Sequence, residues 1–248
     1  MQYRQLVMIL AMIGMLKNDY GKSVKTSIRY ERKCNVMKGE ILEITSKQAW
    51  EFLKPRHYAG RKPSISKAFA WVIDDKTVAV CTFGKPASNS LCVGICGEQY
   101  SPNVYELNRL CRIEELKEPL SEFVGACLRK LKDQNWIIVS YSDTGMHHNG
   151  YIYQALNFLY TGQTKQRTDK WTEGNKHSRH YSNAEQGKYR KVRTAKNRYV
   201  YFATHSKNQK KKWLNALNYP ILPYPKEKNQ NYILGEYQKP ILVPIEKG

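Results

Sequence analysis

The chain has 248 residues, 41% of them hydrophobic, and carries 41 Lys and Arg against 21 Asp and Glu, a formal charge of +20. That length suffices for one large domain with a buried core, and the charge makes a polyanion, nucleic acid above all, the leading partner; a membrane surface fits less well because no basic amphipathic helix of adequate length is present. Six cysteines without a CxxC pair exclude a zinc module or a disulfide framework and read as reduced core thiols of a cytoplasmic protein.

In chain order, the apolar run Leu6 to Leu16 is too short for a hydrocarbon layer of about 30 Å and lacks a signal-cleavage site, so residues 1–36 are expected to lie outside the main fold. The domain is expected over 37–226, followed by a tail at 227–248. It opens with a short strand, and Thr45 and Ser46 are candidate caps for a helix over 47–53. Residues 68–83 predict a hairpin turning at Asp74, Asp75 and Lys76. Strands are expected at 91–96 and 104–113. Pro119 opens a helix whose buried stripe is Phe123, Val124, Cys127, Leu128 and Leu131. WIIVSYS at 136–142 is a core strand that breaks into a polar turn at Asp143. From Tyr151 the residues Ile152, Ala155, Leu156 and Leu159 recur at helical spacing. RYVYFAT at 198–204 is a further strand. The fold class is therefore α/β (α+β), a mixed, partly parallel sheet flanked by helices.

Asp143 ends the central strand, where open α/β sheets place ligands, and His147 and His148 follow on the same loop. Arg109 sits mid-strand and needs an anion, either a structural carboxylate or a ligand's phosphate or carboxylate. Ser121 either bonds backbone in the first helical turn or offers its hydroxyl to a donor. Residues 161–212 carry 15 Lys and Arg against 3 Asp and Glu, a net +12, interleaved with Trp171, Tyr181, Tyr189, Tyr199, Tyr201 and Phe202. Flat rings beside cations suit unstacked bases and phosphates, so this segment is the candidate nucleic-acid surface, with Arg190, Lys191, Arg193, Lys196 and Arg198 as backbone contacts.

Seven motifs occur in order: RHYAGRKP at 56–63, FGKPAS at 83–88, ELNRL at 106–110, SYSD at 140–143, GYIYQALNFLYTG at 150–162, RYVYF at 198–202 and YPILPYPK at 219–226. With the element order helix, hairpin, strand, helix, strand, helix, the set resembles the GNAT acyltransferase superfamily and, within it, the Mom-type DNA-modification proteins of phages. The resemblance implies an enzyme that adds a carbamoylmethyl group to adenine N6 in double-stranded DNA and so blocks restriction, in the host cytoplasm. Acetyl-CoA or another acyl donor is implied with it. His57, Asp143, Tyr153 and Arg109 are the implied catalytic set, Asn108, Arg109 and Ser121 the donor contacts, and Tyr58 or Tyr153 the ring on which a flipped base stacks. The stretch after the 104–113 strand departs from the GNAT pattern, because Glu114 and Glu115 stand where a pyrophosphate needs glycine amides. A carbamoylmethyl group joins nitrogen through its methylene rather than its carbonyl carbon, which makes iron a further candidate, held by His57 and Asp143 with His147 or His148. An acyltransferase of RNA or small amines, or a non-catalytic DNA-binding protein on the same scaffold, are the alternatives, and the oligomeric state stays open, a homodimer included.

Overall fold

The computed structural model describes residues 38–171, 188–226 and 241–245, so the expected extension over 1–36, most of the tail, and Tyr181 lie outside the described residues. Strand β1 (Glu40–Glu43) leads into helix α1 (Ser46–Leu53), which is closed at its start by a reciprocal cap. The Thr45 hydroxyl accepts from the Gln48 amide at 3.3 Å, and the Gln48 side chain accepts from the Thr45 amide at 2.9 Å. Strands β2 (Lys67–Ile73) and β3 (Lys76–Gly84) form the expected hairpin. Asp74 and Asp75 both take left-handed backbone, at φ 48° and 58°, which matches the strands' own twist. Helix α2 (Asn89–Cys96) follows, then β4 (Val104–Arg112), α3 (Leu120–Lys130), β5 (Trp136–Asp143), α4 (Tyr151–Ala155) and β6 (Leu159–Gln163). The remaining elements are β7 (Arg167–Lys170), β8 (Tyr189–Arg193), β9 (Lys196–Ala203), α5 (Lys207–Asn215) and β10 (Leu242–Pro244).

Seven strands form one sheet in the order β1-β2-β3-β4-β5-β9-β6, and β10-β8-β7 form a small second one. Only β4 and β5 run parallel, joined through α3, and the expected mixed sheet flanked by helices is what forms. One face packs Phe69, Trp71, Phe83, Leu107 and Ile138 against the predicted stripe of α3. On the other face α1 sets Ala49 and Leu53 on Ala68, Ala70 and Val80, while α2 and α5 set Ile95, Cys96 and Trp213 on Val104, Ile137, Val139 and Phe202. Burial of each large apolar side chain contributes about 1.5–3 kcal/mol. Cys81, Cys92, Cys96 and Cys127 are buried and Cys111 half-buried, all as free thiols. Among the described residues no helix is long and apolar enough to cross a membrane.

Two expected elements take a different form. Residues 91–96 are helical rather than extended, because Cys92, Ile95 and Cys96 bury one face at helical spacing. The helix from Tyr151 stops after five residues. Asn157 turns left-handed at φ 58°, and the amides of Asn157 and Phe158 close back on Gln154 and Tyr153, so Leu159 begins a strand.

Candidate active site

Strands β4 and β5 are nine and eight residues long, yet they pair only from Val104 to Leu107 and from Ile137 to Ser140. Beyond those four pairs they part. The parting coincides with a bulge in β4, where Asn108 is the extra residue between the pairs Leu107–Phe83 and Arg109–Thr82. The Asn108 amide accepts from the Thr82 hydroxyl at 2.6 Å and donates to the Ser64 carbonyl at 2.7 Å. Its side chain therefore pins the bulge instead of facing a donor.

Pro55 follows the end of α1 and starts the turn that carries His57 and Tyr58 to the cleft. The His57 Nδ1 accepts from the Ala59 amide at 3.0 Å, which leaves the ring proton on Nε2. Burial, then the Arg109 and His148 charges, lower its pKa to about 3. His57 is thus a neutral hydrogen-bond donor at physiological pH, not a base. Its ring stacks on Tyr58 at 4.6 Å, and Tyr58 meets His148 edge-on at 6.3 Å. Tyr58 keeps 42% of its surface exposed, while burial and the nearby Asp143, offset by Arg109, push its hydroxyl up to about 12. Arg109 donates to the Asn108 carbonyl at 2.7 Å and the Arg61 carbonyl at 3.2 Å.

Asp143 is fully engaged. One oxygen accepts from the Gly145 amide at 3.0 Å and the Thr194 hydroxyl at 2.6 Å, the other from Lys196 at 2.7 Å. Burial raises its pKa, but the Lys196 charge and these hydrogen bonds outweigh it and the net shift is downward. It locks the turn that carries His147 and His148. This arrangement does not fit the expected iron site. The carboxylate is spent on Lys196, and a metal on His57 Nε2 would displace the proton that the Ala59 contact requires there. Among the described residues no three His, Cys, Asp or Glu are grouped to hold a metal ion.

Tyr153, on α4, bonds the Ser140 side chain, which itself donates to the Leu107 carbonyl at 3.0 Å at the last paired position of the splayed strands. Burial pushes the Tyr153 hydroxyl well above its ordinary value. Gly150 lets α4 approach: its φ is 82°, and a Cβ there would lie 2.4 Å from the Tyr199 ring. Two residues beyond Ser140, the Ser142 hydroxyl is buried without a hydrogen-bond partner among the described residues.

Glu106 was not among the expected site residues. Burial raises its pKa, against the opposing charges of Arg109, Lys196 and Arg193, and Tyr141 and Tyr153 feel its charge in turn. The signal was available: Glu106 lies two residues from Val104 and so shares that residue's buried face of the sheet. Around the parting stand a carboxyl of raised pKa, a guanidinium and a neutral imidazole donor, with the Tyr153 phenol on the opposite face of the sheet from Glu106, the parts needed to take a proton from an amine and hold an oxyanion.

The basic segment divides. Tyr189, Lys191 and Arg193 share the exposed side of β8, while Arg190 bonds Thr168 at 2.7 and 2.8 Å. Lys196 is committed to Asp143. Arg198 is buried, donates twice to Thr161 at 2.9 and 2.8 Å, and lies 3.3 Å over the Tyr219 ring, so it is not a surface phosphate contact. Tyr199 and Phe202 are core because β9 is flanked on both sides, which leaves Tyr189 as the ring most exposed on these strands. Ser121 stands in the first turn of α3, where Glu114, Glu115, Glu118 and Glu122 outnumber Lys117. That acidic helix end does not fit a pyrophosphate.

Solved structures similar to this chain are acetyltransferases. One from Acinetobacter baylyi ADP1, described as a putative acetyltransferase, has a TM-score of 0.42 at 12% identity, covering 74% of this chain and 96% of that one. An N-acetyltransferase from Staphylococcus aureus Mu50 has a TM-score of 0.41 at 11% identity over 66% and 98%. A Bacillus subtilis acetyltransferase in complex with CoA has 0.38 at 14% over 66% and 97%. All fall below 0.5, so the fold assignment rests on this sheet's own strand order. No curated protein matches the sequence. The family match spans residues 38–226, from the first strand to the segment after α5, and the chain belongs to the Mom protein family.

Proposed function

We propose that this protein transfers a carbamoylmethyl group to the N6 of adenine in DNA. The observation that carries this reading is that Glu106, Arg109 and His57 on one face and Tyr153 on the other flank the point where β4 and β5 part, beside the exposed ring of Tyr58, in a chain matched by the Mom protein family. Adenine inside a duplex cannot bring N6 to such a cleft, so the base is flipped and stacks on Tyr58. The N6 lone pair is delocalised into the ring and attacks poorly unless the N–H proton leaves; Glu106, ionising above its ordinary 4.5, is the acceptor for it. The donor is an electrophile with a leaving group on its methylene. The N6–carbon bond forms as the carbon–leaving group bond breaks, Glu106 takes the N6 proton, and Tyr153 gives one to the leaving group. His57 Nε2–H and Arg109 hold the carbamoyl oxygen of the transferred group. The carboxylates around the start of α3 oppose CoA, so no step is routed through it.

The test is nucleoside mass analysis of DNA and RNA from cells expressing the wild type or Glu106→Gln. Wild-type DNA should contain a mass-shifted deoxyadenosine, and Glu106→Gln should lose it. In vitro, the wild-type rate should rise with pH through a value above 4.5, because the base works only when ionised and burial raises its pKa. Unmodified DNA alongside modified RNA or amine would establish the alternative acceptor. Unmodified material throughout, from folded protein, would overturn the reading.

A further inference from the structure

Helix α5, KNQKKKWLN, exposes Lys207, Lys210, Lys211 and Lys212, and it holds no acidic residue. It is fixed to the sheet by Trp213, which is 1% exposed and packs on Phe202 at 5.8 Å. Lys207 stands in the first turn, against the positive end of the helix dipole, where it works against helix stability. The nearby carboxylate of Asp133 faces His205 at 3.2 Å. These lysines are therefore a separate cationic surface, distinct from β8 and from the paired Lys196.

Register gives their distance from the cleft. Ala203 pairs with Trp136 and Lys196 with Asp143, so α5 starts at the opposite end of β5 from the site. Four residue steps along β5, from Trp136 to Ser140 where the strands part, at about 3.3 Å each, separate the two by roughly 13 Å, the length of about four base pairs. The side-chain period of two places Glu106, Tyr141, Asp143 and Lys196 on the sheet face that α5 covers. Glu106 and the lysine helix thus share one face of the sheet, with Ser140 and Tyr153 on the other.

We propose that α5 is a second phosphate-backbone contact, gripping duplex DNA about four base pairs from the flipped adenine. This rests on the DNA reading above and adds a length requirement to it. Helix dimensions and the absence of carboxylates on α5 fit a regularly spaced polyanion.

The experiment measures affinity for duplexes of about 7, 15 and 23 base pairs with a central adenine, against a Lys207→Gln, Lys210→Gln, Lys211→Gln, Lys212→Gln variant, since arms shorter than about four pairs cannot reach α5. Wild-type affinity should rise from the shortest to the longest duplex, and the variant should lose that rise while binding the shortest one equally. On the longest duplex its plot of log affinity against log salt should be shallower by about three to four, the slope of that many lost phosphate contacts. Glutamine keeps helix propensity, and an unchanged melting temperature confirms the fold. A variant that retains the length dependence, or that weakens all lengths alike, overturns the proposal. A wild type that binds no duplex at any length refutes the DNA reading itself, and the proposal with it.

Discussion

Gly150→Ala tests how the turn before α4 is built. Gly150 has φ 82°, and an alanine held left-handed costs about 1–2 kcal/mol. Its Cβ would also lie 2.4, 2.6 and 2.8 Å from the Cε2, Cζ and hydroxyl of Tyr199. That ring cannot retreat: Tyr199 is fully buried, packs on Tyr153 and Tyr160 at 5.3 Å each, and donates its hydroxyl to the Asn149 carbonyl. Overpacking of this kind adds about 1–3 kcal/mol, for a total near 2–5 kcal/mol. Gly60 supplies the control, with φ 40° and nothing within 4 Å of a built Cβ, so Gly60→Ala bears only the backbone cost. In urea unfolding, Gly150→Ala should lose at least about 1 kcal/mol more than Gly60→Ala with an unchanged m-value. It should also lose activity, because the turn sets Tyr153. Equal losses for the two variants would refute the claim that Tyr199 sits against this turn.

Two further outcomes follow from the same cleft. Asp143→Asn should destabilise by about 1–3 kcal/mol through the charge-assisted bond to Lys196; because the folded-state pKa is lowered, the difference from wild type should shrink as pH falls below about 4, and a constant difference across pH would contradict the ion pair. Ser142→Ala removes a buried hydroxyl with no partner among the described residues, so the free protein should be unchanged or stabilised by up to about 1 kcal/mol while KM rises for whichever substrate that hydroxyl meets; a loss above about 1 kcal/mol would show that the hydroxyl is already satisfied.

The hairpin and α3 were legible because their signals are local: two aspartates in a tight turn, and a stripe repeating every three or four residues. Helix α2 was not, since Leu91 to Cys96 is as rich in β-branched and small residues as a strand, and only its packing decides. The periodicity of Ile152, Ala155, Leu156 and Leu159 ran straight through a chain reversal set by one residue, Asn157. His57 stacks on Tyr58 and feels the Arg109 charge, and Tyr153 feels the Tyr58 charge. Glu106 escaped because a polar residue in a strand reads as solvent-facing until the neighbours on its face are known. Lys196 and Arg198 were counted into a surface because charge totals carry no register: only the pairing of β5 with β9 shows Lys196 opposite Asp143 and Arg198 turned inward.

The four residue pairs that hold β4 to β5 make this sheet mechanically two plates on a short seam. One plate is β1 to β4, the other β5, β9 and β6, and the cleft residues are shared between them: Glu106 and Arg109 ride on the first, Ser140, Asp143 and Tyr153 on the second. A ligand that lies in the gap and bonds both strand edges acts as a missing strand. It would stiffen the seam and fix the spacing between Glu106 and Tyr153 in one event, so that occupancy and alignment across the seam rise together.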